Sequence, residues 1–248
     1  MKITILGCWA PFPRALEACS GYLVEWGETS VLLDCGHGVF SKFQKFGDLQ
    51  KLNALIISHL HPDHYADIHC FRHAIAHAIR QGKRAYKLKL FLPFSPQAEF
   101  TTMQKSIDAF ELHDLSQVSQ IKVGNLNIYP FRTEHALPTY GVSVYGGSAK
   151  VVYTSDTAWF SKLPEIVKEA ALLICEASLQ EKDRDNQVGH LTAKQAGDLA
   201  RKGNVHNLLI THLFPEYNES VTEREAEEGF GAGVLVAKEG LVVKAKIT

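Results

Sequence analysis

Twelve short runs rich in β-branched and apolar residues punctuate the chain: KITIL, GYLVEW, SVLLD, ALIIS, KLKLFL, NLNIYPF, VSVY, KVVYTS, ALLICE, NLLIT, GVLVA and LVVKAKI. Runs of this length between polar or Gly-bearing segments read as β-strands. Helical patterns are fewer, over residues 65–80, 96–112, 161–170, 192–202 and 222–228. So many strands with so few long helices are accounted for by two sheets sandwiched between outer helices, an α/β architecture. The first half opens with hairpin-like strand pairs around Gly27-Glu28, and the second half alternates strand and helix more regularly. No solenoid repeat, low-complexity tract or Pro/Gly/Ser-rich linker divides the chain. With 248 residues, 46% of them hydrophobic, it is read as one domain, residues 1–248, around a large core.

Lys and Arg total 26 against 27 Asp and Glu. That balance carries no global footprint for nucleic acid or an anionic membrane, so a polyanion would need a local patch. Cys8, Cys19, Cys35, Cys70 and Cys175 are odd in number and widely scattered, which argues against a disulfide framework or thiolate zinc site and fits a reducing cytoplasm. The opening MKITILGCWAPFPR is interrupted by Gly7 and ended by Pro11 and Pro13, as expected of a first strand and not of a signal sequence. No run reaches membrane-spanning length.

Function is written most densely in SHLHPDH, residues 58–64, directly after the apolar run ALII. Strand residues two apart share a side, so His59 and His61 can aim at one point. Pro62 suits the first position of a helix, placing Asp63 and His64 in its opening turn. There the positive end of the helix favours ionised Asp63 and disfavours protonation of His64, the forms that bind a metal. His135 in FRTEHALPTYG, Asp156 in VVYTSDT and His212 in LLITHLFP follow the ends of other apolar strands, where side chains distant in sequence converge. They complete a pair of nitrogen-and-oxygen sites, with Asp156 able to bridge two ions.

Thr192 and Gln195 form a T-x-x-Q capping box, so a helix is predicted to end at Gly203, with His190 just outside its positive end. A histidine there can meet a phosphoryl oxygen or protonate a leaving group. His69, His73 and His77 recur every fourth residue and could edge the substrate cleft, but a partly buried or interface stripe on one helical face is the better reading. His37 is a candidate support for the ligands, His113 and His206 read as surface residues, and Cys175 reads as buried apolar filler. Arg80, Lys83, Arg84, Lys87 and Lys89 form a basic segment that could meet a nucleic-acid backbone, although a solvated loop followed by an edge strand explains it better. The charge run EREAEE reads as a solvated helix face.

These motifs resemble the metallo-β-lactamase superfamily, in particular its phosphodiesterase branch typified by the tRNA 3′-end endonuclease ribonuclease Z. LLDCGHG is similar to the branch's DCGEG, LLICEAS to its HEAT motif and VGHLTA to its GHSTA motif. SHLHPDH with the later His135, Asp156 and His212 matches the metal motifs of the superfamily. The resemblance implies a four-layer αβ/βα sandwich holding two divalent ions. It assigns His59, His61 and His135 to one ion, Asp63, His64 and His212 to the other, and Asp156 to both. Zinc is the default metal, and manganese or iron would also suit His and Asp ligands. It further implies that Glu176 orients His190, and homodimers are common in the branch.

Only ALPTYGVSVYGGSAKVVYTS separates His135 from Asp156, which leaves no room for the long tRNA-gripping arm that ribonuclease Z carries there. Cys175 stands where the HEAT motif has His, and His37 where DCGEG has Glu. Two divalent ions, two carboxylates and a bridging hydroxide sum formally to about +1, favouring an anionic substrate. The expected activity is therefore hydrolysis of a small or cyclic phosphodiester, such as a cyclic nucleotide, through a metal-bridging hydroxide. Asp63 is also a candidate acceptor for the water proton. The runner-up is a ribonuclease Z-like endoribonuclease that finds RNA through the basic segment. Less favoured are a lactonase or β-lactamase, whose branches follow the third-motif His with a TPG-like turn, and a non-catalytic scaffold, which would typically have lost ligands.

Overall fold

Residues 1–184 and 189–246 are described by the structure, a computed structural model. Val188 of the VGHLTA motif and Ile247 of the last apolar run lie outside the described residues. The layering follows from side-chain alternation along β1 (Lys2–Gly7), β2 (Gly21–Trp26), β3 (Thr29–Leu33) and β4 (Leu52–Ile56). Ile3, Ile5, Val24, Val31 and Ile56 enter one core, and Leu6, Leu23, Leu32 and Leu55 enter another. Successive strand residues face opposite sides, so this sheet is buried on both faces and its strands read as nearly continuous apolar runs.

The sheet continues through β5 (Leu88–Leu92) and β6 (Phe110–Asp114). A second sheet takes β7 (Ile121–Val123), β8 (Leu126–Arg132), β9 (Tyr140–Gly146), β10 (Ala149–Tyr153), β11 (Leu172–Glu176), β12 (Leu208–Thr211) and β13 (Leu235–Val236). β14 (Val242–Lys244) then returns to the first sheet and pairs with β1.

Four of the helices, α1 (Val39–Phe46), α2 (Pro62–Tyr65), α3 (Ile68–Arg80) and α4 (Gln97–Gln104), belong to the first half. Val39, Phe43, Phe71, Ile75, Phe100 and Met103 cover the outer face of the first sheet. α5 (Leu163–Val167) and α6 (Ala193–Lys202) pack with the second sheet through Leu163, Val167, Ala196 and Leu199. α7 (Glu219–Phe230) lies close on α6, since a Cβ at Gly197 would stand 2.1 Å from the Ala226 carbonyl oxygen. Two mixed sheets with helices outside them form the predicted αβ/βα sandwich.

Several local expectations change. The predicted helix over 96–112 stops at Gln104, and Phe110–Asp114 instead pairs with β5 in parallel. Phe100, Met103, Ile107 and Phe110 mimic a helical period, yet Ile107 is exposed and the edge of β5 rewards extended backbone. β5 is consequently an inner strand and not the edge expected after the basic segment. The short β7 was missed as well. The helix predicted over 65–80 breaks between Tyr65 and Ile68, α5 is shorter than its pattern and α7 longer. On α3 the buried positions are Ile68, Phe71, Ile75, Ala76 and Ala78, so His69, His73 and His77 fall on the opposite face and are exposed, not partly buried. Among the described residues no helix is long and apolar enough to cross a membrane.

β3 and β4 run parallel in the first sheet, and β10, β11 and β12 run parallel in the second. β8 shares the direction of β10 because both are antiparallel to β9. The segments leaving the carboxyl ends of these strands carry Asp34, His59, His135, Asp156, Glu176 and His212, at the edge where open α/β sheets place ligands.

Candidate metal centre

His59 and His61 leave β4 as the spacing predicted, and His61 is the extended cap residue before Pro62 opens α2. His135 arrives from the loop after β8. His59 Nε2 lies 3.0 Å from His61 Nδ1, which lies 3.1 Å from His135 Nε2. The His59 ring turns its other nitrogen to the Ser58 hydroxyl at 3.1 Å, and His135 Nδ1 donates to the Gly189 carbonyl at 3.1 Å. Those partners assign the protons away from the cluster, so lone pairs converge on one point. Burial holds His59 well below the usual histidine range and lowers His61 and His135 too, keeping all three imidazoles neutral and ligand-competent.

The second cluster joins Asp63 and His64 of α2 to His212, which follows β12. His64 Nε2 and His212 Nε2 are 3.1 Å apart, and Asp63 Oδ2 lies 3.5 Å and 3.3 Å from them. Here the field of the helix end is opposed by nearby carboxylates. Burial lowers the pKa of His64, but the carboxylates of Asp156, Asp63 and Asp34 outweigh that and hold it well above the usual range. A single-turn helix is a small field beside three carboxylates. A cation at this cluster takes the place of that proton.

Asp156 stands between the clusters and divides its oxygens. Oδ2 faces His59 Nε2 at 3.5 Å and His135 Nε2 at 3.8 Å, while Oδ1 faces His64 Nε2 at 3.4 Å and His212 Nε2 at 3.1 Å. Burial raises its pKa, but the neighbouring His212 and His64 hold it well below the carboxylate range. Among the described residues its Oδ1 is buried without a hydrogen-bond partner. Converging imidazole lone pairs and an unpartnered buried carboxylate oxygen are costly as they stand. A pair of divalent cations satisfies both, so the donor set fits two metal ions. Asp63 has the position of a ligand, and its pKa is lowered because His64 and His212 overcome the effect of burial.

Behind His64 sits Asp34, at the end of β3 and wholly buried. It accepts from His64 Nδ1 at 2.8 Å, the Tyr153 hydroxyl at 2.7 Å, and the Ser58 amide and hydroxyl at 2.7 and 2.9 Å. It therefore fixes the tautomer of a ligand. Asp34, Ser155 and His212 all have left-handed backbone, with φ near 57, 54 and 57°. Such conformations cost about 1–3 kcal/mol each and concentrate where function demands them. Here they turn the chain at the strand ends so that the side chains overhang the sheet edge.

Beside the metal clusters, His190 Nδ1 lies 3.1 and 3.2 Å from the two oxygens of Glu176. Burial lowers the His190 pKa, but Glu176 outweighs it and carries it to about 9. Ser178 donates to Glu176 at 2.5 Å and accepts from His212 Nδ1 at 2.7 Å. A continuous hydrogen-bond chain thus runs from a metal-cluster histidine to His190, whose ring stacks at 5.5 Å on that of His212. Thr192 caps α6 with Gln195 as its spacing predicted.

The seven metal candidates, His190 and Glu176 converge at one cleft. His37 does not join them: its side chain is exposed, and the supporting role belongs to Asp34. His206 is exposed, whereas His113 is partly covered and stacks on Phe91. Cys175 is fully buried. Arg84 is spent on structure, donating to the carbonyls of Leu49, Leu52 and Tyr86. Sequence reasoning missed Asp34, Tyr153 and Ser178 as supporting residues. LLDCGHG and LLICEAS, the strand-end motifs that contain Asp34 and Ser178, were the available signals for those two.

Residues 29–213 match the family model of the Beta-lactamase superfamily domain. The Bacillus subtilis protein named "Probable metallo-hydrolase YhfI" is 32% identical over 247 residues, spanning 98% of this chain and 99% of that protein. The crystal structure of YhfI, a metallo-beta-lactamase fold protein, matches with a TM-score of 0.92 at 30% identity, covering 98% of each chain. Ribonuclease Z of Archaeoglobus fulgidus is 24% identical over 284 residues, 89% of this chain and 90% of that protein. The short form of human tRNase Z shares the fold with a TM-score of 0.78 at 22% identity, covering 100% of both chains. With the clusters around Asp156, these matches show that the chain belongs to the metallo-β-lactamase superfamily of metal-dependent hydrolases.

Proposed function

We propose that this hydrolase cleaves a small or cyclic phosphodiester. The observation that carries the reading is Asp156, whose two oxygens serve two adjacent clusters while His190 overlooks the same cleft. Bound there, two divalent ions, zinc by preference of the donors, would supply charge for an anionic substrate and an activated water. His59, His61 and His135 would hold one, Asp63, His64 and His212 the other, and Asp156 both. Glu176 fixes the Nδ1 side of His190, leaving Nε2, which bonds to none of the described residues, to give a proton to the leaving oxygen. Ser178 ties this acid to His212, so ligand and acid keep their spacing.

Substrate size is argued from the segment between His135 and Asp156. The hairpin β9–β10 fills it, with no arm projecting between the strands. The match to the Archaeoglobus ribonuclease Z runs over 284 residues although this chain has 248, consistent with extra segments in that protein. That relative keeps endoribonuclease action as the second reading.

The test is metal content followed by hydrolysis of bis(p-nitrophenyl) phosphate, cyclic nucleotides, a tRNA precursor, a lactone and a β-lactam. Cleavage of the first two is expected, and cleavage of only the lactone or β-lactam refutes the proposal. His190→Ala should keep its metal and lose about 10²–10⁴-fold in kcat. An unchanged rate would remove His190 from the mechanism.

A further inference from the structure

One side of the cleft is unlike the metal floor. A cavity of about 600 Å³ is lined by His61, Asp63, Asp156 and His212 below and by Pro11, Leu179, Phe214 and Tyr217 beside them. That volume is in the range of small-molecule sites. Phe214 is two residues after His212, so the apolar wall and the metal floor are carried on one short segment.

The wall is held in place by bonds that the metal centre does not need. Arg14 donates to the Pro215 carbonyl at 3.0 and 2.8 Å and to the Tyr217 carbonyl at 3.3 Å, pairs with Glu219, and lies 3.9 Å over the Trp9 ring. Leu213 bonds back to Cys8, and Ala10 to Leu213. Phe214 packs edgewise against Phe12 at 6.1 Å and Tyr217 at 5.1 Å, yet remains only partly buried. A rigid, partly open aromatic surface next to an anion site is a preformed seat for a ring.

We infer that this wall seats the planar base of a nucleoside phosphodiester, an assignment that rests on the phosphodiesterase reading above. A sugar or peptide would set unpaired polar groups against Pro11, Leu179 and Phe214, which have none to return. The hydroxyl of Tyr217 is already committed to Asp183 at 2.6 Å. Because the side chains of Pro11, Leu179 and Phe214 carry no polar atom, this part of the wall reads area and not base edges. Purines are therefore preferred to pyrimidines, with adenine and guanine treated alike.

The test compares metal-loaded wild type, Phe214→Ala and Phe214→Tyr on purine and pyrimidine 3′,5′-cyclic nucleotides and on the base-free cyclic ribose phosphate. Metal content is measured for each protein. In parallel, adenosine 5′-monophosphate and inorganic phosphate are titrated into each metal-loaded protein by calorimetry. Wild type should favour base-bearing over base-free substrate through KM. Phe214→Ala should shrink that preference about 10-fold, and Phe214→Tyr should retain it. An equal preference in wild type and Phe214→Ala overturns the assignment. If wild type cleaves none of the diesters, the phosphodiesterase reading fails. The titration then judges the wall alone: Phe214-dependent preference for the nucleotide over phosphate supports it, and equal binding of the two refutes it.

Discussion

Asp34→Asn deletes one charge and almost no volume, which makes it a sharp probe of how the second metal cluster is prepared. Oδ2 of Asp34 receives His64 Nδ1–H and the hydroxyls of Tyr153 and Ser58, and Oδ1 receives the Ser58 amide. An amide can satisfy only one of these sides. With its nitrogen towards the Ser58 amide, two N–H groups oppose each other at the present 2.7 Å separation, leaving a buried donor unpaired beside His59. With its nitrogen towards His64, the ring must give up its Nδ1 proton, accept there, and keep the proton on Nε2. That is the atom 3.1 Å from His212 Nε2 that should bind metal.

Either outcome weakens bonds to a charged acceptor worth about 1.5–3 kcal/mol apiece, so a net loss of about 3 kcal/mol is expected in the metal-free protein. Metal affinity at the His64 cluster should fall about 10–100-fold. Urea unfolding after chelation measures the first quantity. Metal retained against graded chelator measures the second. A variant that unfolds within about 0.5 kcal/mol of wild type and keeps both metals at wild-type affinity would refute the role given to Asp34.

A Cβ at Gly36 would stand 1.9 Å from the backbone oxygen of Asp63. Gly36→Ala should therefore displace the α2 ligands, cost about 3 kcal/mol or more and lose the second metal; normal metal content would refute this. Thr192→Ala removes the cap to the Gln195 amide at 3.1 Å and the bond to Glu181 at 2.8 Å, and urea unfolding should show a loss of about 1–2 kcal/mol. The raised pKa of His64 stabilises the metal-free fold fully below the unfolded value of about 6.5, and that contribution is lost as pH rises through the folded value. At pH 7 the proton is still bound, so metal binding should release it. Calorimetry in buffers of different ionisation enthalpy detects the release, and its absence would refute the protonated state.

Much of the fold was legible because both faces of the central strands are buried, which forces runs such as SVLLD and ALLICE to be apolar throughout. The metal residues were legible for a related reason. They stand within a few residues of those runs, and three histidines and an aspartate packed into residues 58–64 exceed what a turn requires. The 96–112 segment was misread because its apolar spacing satisfies a helix, and only the partner strand β5 makes extended backbone worth more. His69, His73 and His77 are exposed and not partly buried, because a four-residue period identifies a helical face without saying which way it looks.

The chain's own sequence marked the residues suited to bind metal, most of its strands and the cap of α6, since these depend on neighbours a few positions away. Tertiary structure alone decided that Asp156 turns one oxygen to each cluster, that Asp34, Asp63 and Asp156 surround His64 at its helix end, and that Asp34 and Ser178 stand behind the ligands. Those outcomes depend on the meeting of segments as far apart as residues 34, 64, 153 and 212. Burial and charge act through space there, and no local pattern reports them.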